Sequence, residues 1–228
     1  MSRAVRWALI IMVALAVTVP AGTYAYIHWI SDDAPARLSL DTAADPPGAT
    51  VPLSGGTDGT WVPHASSSQV GYRVNEVLFG QSKAAVGRTS DVTGSMTITG
   101  TTVSNVSLVA DMTTVSSDEG RRDAQFQGRI MDTARFPTAT FELTSPITLP
   151  SPDATMANVE ATGDLTLHGT TRPVTFHVSA RRTGGTVAVS GTIPIVFADY
   201  GIPNPTFGPV TTEDHGELEF LVSFTKEP

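Results

Sequence analysis

The chain has 228 residues, no cysteine and a net charge of −8, which excludes disulfides, thiolate metal sites, cysteine nucleophiles and a lipidated N-terminal cysteine. Arg3 and Arg6 are the only charges before Ser31, so the remainder keeps 12 of the 14 basic residues against 22 acidic ones, a balance of −10. That balance argues against binding nucleic acid or an anionic membrane surface by bulk electrostatics.

In chain order, residues 1–6 form a short basic start, and Trp7 to Ile30 follows without Asp, Glu, Lys or Arg. About 20 apolar residues suffice to cross a bilayer core, so this stretch is expected to be a single membrane-spanning helix. Arg3 and Arg6 would stay cytoplasmic, with Tyr24, Tyr26 and Trp29 in an outer aromatic belt. The C-terminal domain would then lie outside the cytoplasm. The alternative is a signal peptide cleaved near Ala25, which would release a secreted or periplasmic protein. Residues 31–59, rich in Asp, Ala, Pro, Gly, Ser and Thr and free of aromatics, read as a disordered linker.

From residue 60 to 228 short runs alternate between apolar and polar side chains, the period of a strand with one greasy face. Val70, Tyr72 and Val74 form one run, Met96 and Ile98 another, and Val106, Leu108, Ala110 and Met112 a third. Phe141 with Leu143, Val187 with Val189, and Leu218, Phe220, Val222 and Phe224 continue the pattern. Between Gly163 and Arg182 two such runs read as a β-hairpin, with Gly169 and Pro173 bracketing its turn. About eight short strands separated by turn signals predict an all-β antiparallel barrel or sandwich. One segment breaks the period. Ser117 to Asp132 places Phe126 and Ile130 four apart behind acidic residues, which predicts a short helix capping one end of the barrel.

The stretch GDLTLHGTTRPVTFHV, Gly163 to Val178, resembles the central signature of the YceI-like family, lipocalin-like polyisoprenoid-binding proteins of the bacterial envelope. RRDAQFQGRIMDTARFPTATFEL, from Arg121 to Leu143, and FADYGIPNPTFGPVTTEDHGELEFLVSF, from Phe197 to Phe224, are similar to two further stretches of that family. Where the family commonly carries two aromatics before the Asp, this chain has Ile130 and Met131 before Asp132, so aromatic ligand contacts are not carried over there. The resemblance implies an eight-stranded antiparallel lipocalin-like β-barrel with a tunnel for an isoprenoid-type lipid. Periodicity alone leaves open whether the interior is hollow or solid, since an eight-stranded barrel can pack its lumen or hold one small ligand.

The inward-facing set is the candidate lipid contact: Tyr72, Val74, Met96, Ile98, Leu108, Phe141, Leu143, Leu165, Leu167, Val174, Phe176 and Phe220, with Phe126 and Ile130 at the cap. Arg121 and Arg122 are head-group candidates, because guanidinium pairs bidentately with phosphate. The acidic balance instead favours a neutral quinone or polyprenol. His168 and His177 fall on the face opposite Leu167 and Phe176 and read as structural or surface residues, as does His215; neither a metal site nor a Gly-x-Ser-x-Gly elbow is expected. The expected function is a membrane-tethered, non-enzymatic lipid carrier with no cofactor other than a bound isoprenoid lipid or quinone. The alternatives are a solid-cored structural or protein-interaction module of the envelope and an envelope hydrolase.

Overall fold

The computed structural model describes residues 3, 5–7, 12, 14, 16–18, 34–43, 56–78, 81–151, 155–206 and 210–227. Two units are distinguished, residues 1–35 and 36–228. In the first, the described residues between 3 and 18 are helical. Among the described residues no helix is long and apolar enough to cross a membrane. Most of the expected span Trp7–Ile30 lies outside the described residues, so the structure lends it no support.

The described residues of the second unit form twelve strands, all paired antiparallel. They are β1 (Gly59–Pro63), β2 (Gln69–Leu78), β3 (Gln81–Thr89), β4 (Val92–Thr99), β5 (Thr102–Asp111), β6 (Thr138–Leu143), β7 (Ile147–Thr148), β8 (Met156–Leu167), β9 (Thr170–Thr183), β10 (Thr186–Val196), β11 (Val210–Thr212) and β12 (His215–Lys226). β1 and β2 lie end to end along one edge of β12, with Trp61 opposite Lys226 and Tyr72 opposite Leu218. β3 and β4 likewise share the next position, as do β6 and β7 beside β5. The twelve strands thus make eight staves. Each pairs with the next in sequence, and the last pairs back onto the first, closing an eight-stranded barrel. Among the described residues every stave therefore has a paired neighbour on each side, although β9 and β10 pair over only part of their length.

Local chemistry explains where the strands turn and stop. His168 and Gly169 both have positive φ, 50° and 73°, the geometry of a two-residue hairpin turn whose twist matches its strands. The turn is therefore tighter than expected, and Pro173 sits inside β9 rather than closing the turn. It is tolerated because β9 pairs with β10 only from Val178 onward, which leaves Pro173 paired on one side alone. Pro194 in β10 is accommodated the same way, opposite Glu217 and beyond the last β9 contact at Gly191.

The expected helix from Ser117 to Asp132 is shorter and divided. The helix α1 (Gly120–Gln125) is capped by the Glu119 carboxylate, which accepts from the Arg121 N–H. It then widens into a π turn, Phe126–Ile130, closed by the Met131 N–H donating to the Phe126 carbonyl at 2.8 Å.

The linker reading also changes in part. Residues 36–43 lie against the outside of the barrel. Leu40 is buried in a 3-10 turn against Ala188 and Leu221, and Arg37 pairs with Glu217 and Glu219. Leu38 and Ala43 pack beside Leu40, a small apolar contact that composition averaged over 31–59 hides. Residues 44–55 lie outside the described residues.

Candidate functional site

The inward faces of the staves enclose a cavity of about 720 Å³, lined overwhelmingly by apolar side chains. Alternation alone would let these side chains meet in the middle. Three large rings instead lie flat on the wall. Tyr72 faces Gly87 across the β2–β3 pair, and a Cβ at Gly87 would come within 2.4 Å of the ring. Phe220 faces Gly191 in the same way, at 2.6 Å, and Phe141 lies over Gly163 at 2.5 Å. Phe141 and Phe220 flank Phe176 edge-to-face, with centroids 5.4 Å and 5.7 Å from its own. An aromatic belt therefore runs along the wall from β6 to β12, crossing β8 and β10 where each has a glycine. The belt leaves the lumen hollow, since each ring occupies the volume that a neighbouring side chain would fill.

At one end α1 and the π turn form a cap. Phe126 stacks on Tyr72 with centroids 5.0 Å apart and rings 16° from parallel. The i→i−5 bond of the π turn brings Met131 to the cavity beside Phe126 and Ile130, a placement that a regular helix would not give. Arg122 at the rim is half-buried. Its Nη1 donates to Asp118 Oδ1, and its Nη2 lies 3.3 Å from Glu76 Oε1. Arg121 is exposed and also borders the cavity mouth. Burial pushes the Tyr72 phenol well above its ordinary range, against the opposing pull of the Arg122 charge.

Thirteen of the fourteen apolar candidates border this one cavity: Tyr72, Val74, Met96, Ile98, Leu108, Phe126, Ile130, Phe141, Leu143, Leu165, Leu167, Phe176 and Phe220. The exception is Val174. It packs against the apolar cluster but not on the cavity. Sequence reading missed Ile193 and Ile195, which line the cavity from β10. Their alternation is visible in the sequence, but the intervening Pro194 disguised it. Val115 and Met112, beyond the end of β5, were likewise partly or wholly overlooked.

His168, His177 and His215 fall in the β8–β9 turn, on β9 and on β12 respectively. His168 Nδ1 lies 3.3 Å from the Tyr200 carbonyl, and its ring meets Phe136 edge-on with centroids 4.6 Å apart. His177 is exposed on β9. His215, the first residue of β12, is exposed beside Asp214. Among the described residues no cluster of His, Asp and Glu is arranged to hold a metal ion.

A family model described as the YceI-like domain matches residues 61–224. A UPF0312 protein of Vibrio parahaemolyticus is 31% identical over 107 residues, which are 44% of this chain and 54% of that protein. A second, from Vibrio vulnificus, is 33% identical over the same length and shares. The chain thus spans about half the length of the curated relatives it matches. Among solved structures, a polyisoprenoid binding domain from Saccharophagus degradans, implicated in plant cell wall breakdown, superposes with a TM-score of 0.57 at 14% identity, covering 73% of this chain and 98% of that one. Burkholderia cenocepacia BcnA gives 0.55 at 18% identity, covering 71% and 98%. At these identities the likeness speaks for the fold.

Proposed function

We propose, from the premise that this chain belongs to the YceI-like domain family, that its barrel is a carrier enclosing the apolar chain of an isoprenoid-type lipid. The observation that carries the reading is the hollow of about 720 Å³ with its belt of wall-laid rings. Its size falls within the roughly 300–1,000 Å³ of pockets that hold small ligands. Burial contributes about 0.8 kcal/mol per CH₂, so some ten enclosed carbons would match the ~8 kcal/mol of micromolar binding before ordering costs. The structural relative from Saccharophagus degradans is described as polyisoprenoid-binding, which supports the same ligand class here. The role is one of holding and handing on, without chemistry on the lipid.

The apolar stretch Trp7–Ile30 supports a further part of the proposal, a tether to the cell membrane with the barrel on its extracytoplasmic side. The experiment is lipid extraction and native mass spectrometry of the purified full chain. A co-purified prenyl lipid is expected. A chain that carries none and takes up none from prenyl-lipid micelles would overturn the carrier reading. The intact mass of the mature protein tests the tether, because loss of about 25 residues would mean a cleaved signal peptide.

A further inference from the structure

We propose that the Tyr72 hydroxyl is the donor that holds a hydrogen-bond-accepting oxygen of the ligand, and that the ligand's head group is uncharged. This inference rests on the lipid-holding reading and names the class of head group.

Tyr72 is fixed on two sides, by Gly87 on the wall and by Phe126 of the cap. Its ring has one defined position, at the capped end of the cavity. The hydroxyl makes no hydrogen bond to a protein group among the described residues, and it is not sealed in. The cavity lining at this end combines apolar Val74, Ala85, Val115 and Phe126 with Glu76 and Arg122 of the rim, whose charges act on the phenol in opposite directions. A donor with no protein partner at the wall of a mostly apolar cavity is available to an acceptor carried by the ligand. The phenol's raised pKa, a consequence of its burial, keeps it a donor.

The charges at the rim argue against a diphosphate. Arg122 is already engaged by Glu76 and Asp118, and the Asp123 carboxylate accepts from the Ser117 N–H and hydroxyl. At this end Glu76 and Glu119 border the cavity beside Arg121 and Arg122, so the rim carries no net positive charge. A multiply charged head would have to break an ion pair at a rim with no net positive charge to receive it. A carbonyl or alcohol needs neither.

The test compares the full chain with Tyr72→Phe, which keeps the ring on Gly87 and its stack on Phe126. Four probes are used: a tetraprenyl benzoquinone, geranylgeraniol, geranylgeranyl diphosphate and squalene, which has no oxygen. The substitution is expected to weaken quinone and alcohol binding about tenfold, the scale of one well-placed hydrogen bond, while squalene changes by less than about twofold. Equal weakening of squalene, or none for the quinone and the alcohol, overturns the role of Tyr72. Diphosphate binding at least about tenfold tighter than alcohol binding overturns the neutral head group. Wild-type protein that binds none of the four, squalene included, defeats the lipid-holding reading itself.

Discussion

On the inner face of β12, Leu218 and Phe220 border the hollow and Val222 and Phe224 pack with Trp61 and Val187, while on its outer face Glu219 is buried. Glu219 is 2% exposed and is held by three guanidinium groups: Arg73 Nε at 2.5 Å, Arg88 Nη2 at 3.3 Å and Arg37 Nη1 at 3.4 Å. Residues 36–43 cover the same outer face, with Ala36 accepting from Arg88 and Leu40 seated on Leu221 and Ala188. The usual assignment is inverted here, because the apolar face borders space and the charged face is covered. Alternation decides which residues share a face. What lies against that face is decided by features outside the strand, here glycines on its neighbours and a segment more than 170 residues away, as in the Arg37 contact to Glu217.

The largest break in this contrast is Glu219→Ala. It would remove the buried carboxylate that Arg73, Arg88 and Arg37 share. Removing one partner of a buried pair costs about 3–5 kcal/mol, and urea unfolding should show a loss of that size. A loss below about 1 kcal/mol would place the patch with ordinary surface ion pairs. Leu40→Ala probes the cover from the other side. The expected cost is about 2 kcal/mol, the low end for a buried leucine, because its apolar cluster is small. The same variant should speed tryptic cleavage after Arg37; an unchanged cleavage rate would mean that the segment is not held by Leu40.

Gly87→Ala sharpens the inner half of the comparison. The added methyl would stand 2.4 Å from the Tyr72 ring and must swing it off the wall. A flexible side chain yields more readily than backbone, so the stability loss should be only about 1 kcal/mol, the low end of overpacking. Lipid uptake should fall much further. If uptake persists unchanged, the wall-laid ring is not what keeps the lumen open.

Much of the barrel is legible in the sequence, because the two-residue period in runs such as Leu218 to Phe224 states both strand and inward face. The whole β3 strand is not. Its Ala84, Ala85, Val86 and Gly87 carry little side-chain contrast, so no alternation is visible there. The candidate lining is legible almost residue by residue, since inward and apolar are the same condition in a barrel. Hollowness is not, because it depends on Gly87, Gly163 and Gly191 falling under particular rings. That is a matter of register between strands, and pattern within one strand does not reveal it. The Glu219 patch is invisible for a similar reason, its arginines coming from residues 37, 73 and 88.

The smallest effect concerns the proton on Tyr72, which links the hollow to its cap. Burial raises the folded-state pKa of the phenol above that of the unfolded chain, which is about 10. Below about pH 10 both states keep the proton, and stability does not depend on this group. Above it the unfolded state ionises first while the folded state stays neutral, so stability should fall as the pH rises. Urea midpoints at about pH 9 and about pH 11 measure the fall, and Tyr72→Phe should show a shallower one. Tyr200, whose pKa is also raised by burial, contributes equally to both proteins and cancels in the difference. Equal slopes in the two proteins would mean that the Tyr72 hydroxyl meets bulk water. The cap would then be open where Phe126 stacks, and the hollow would be a funnel rather than an enclosed cavity.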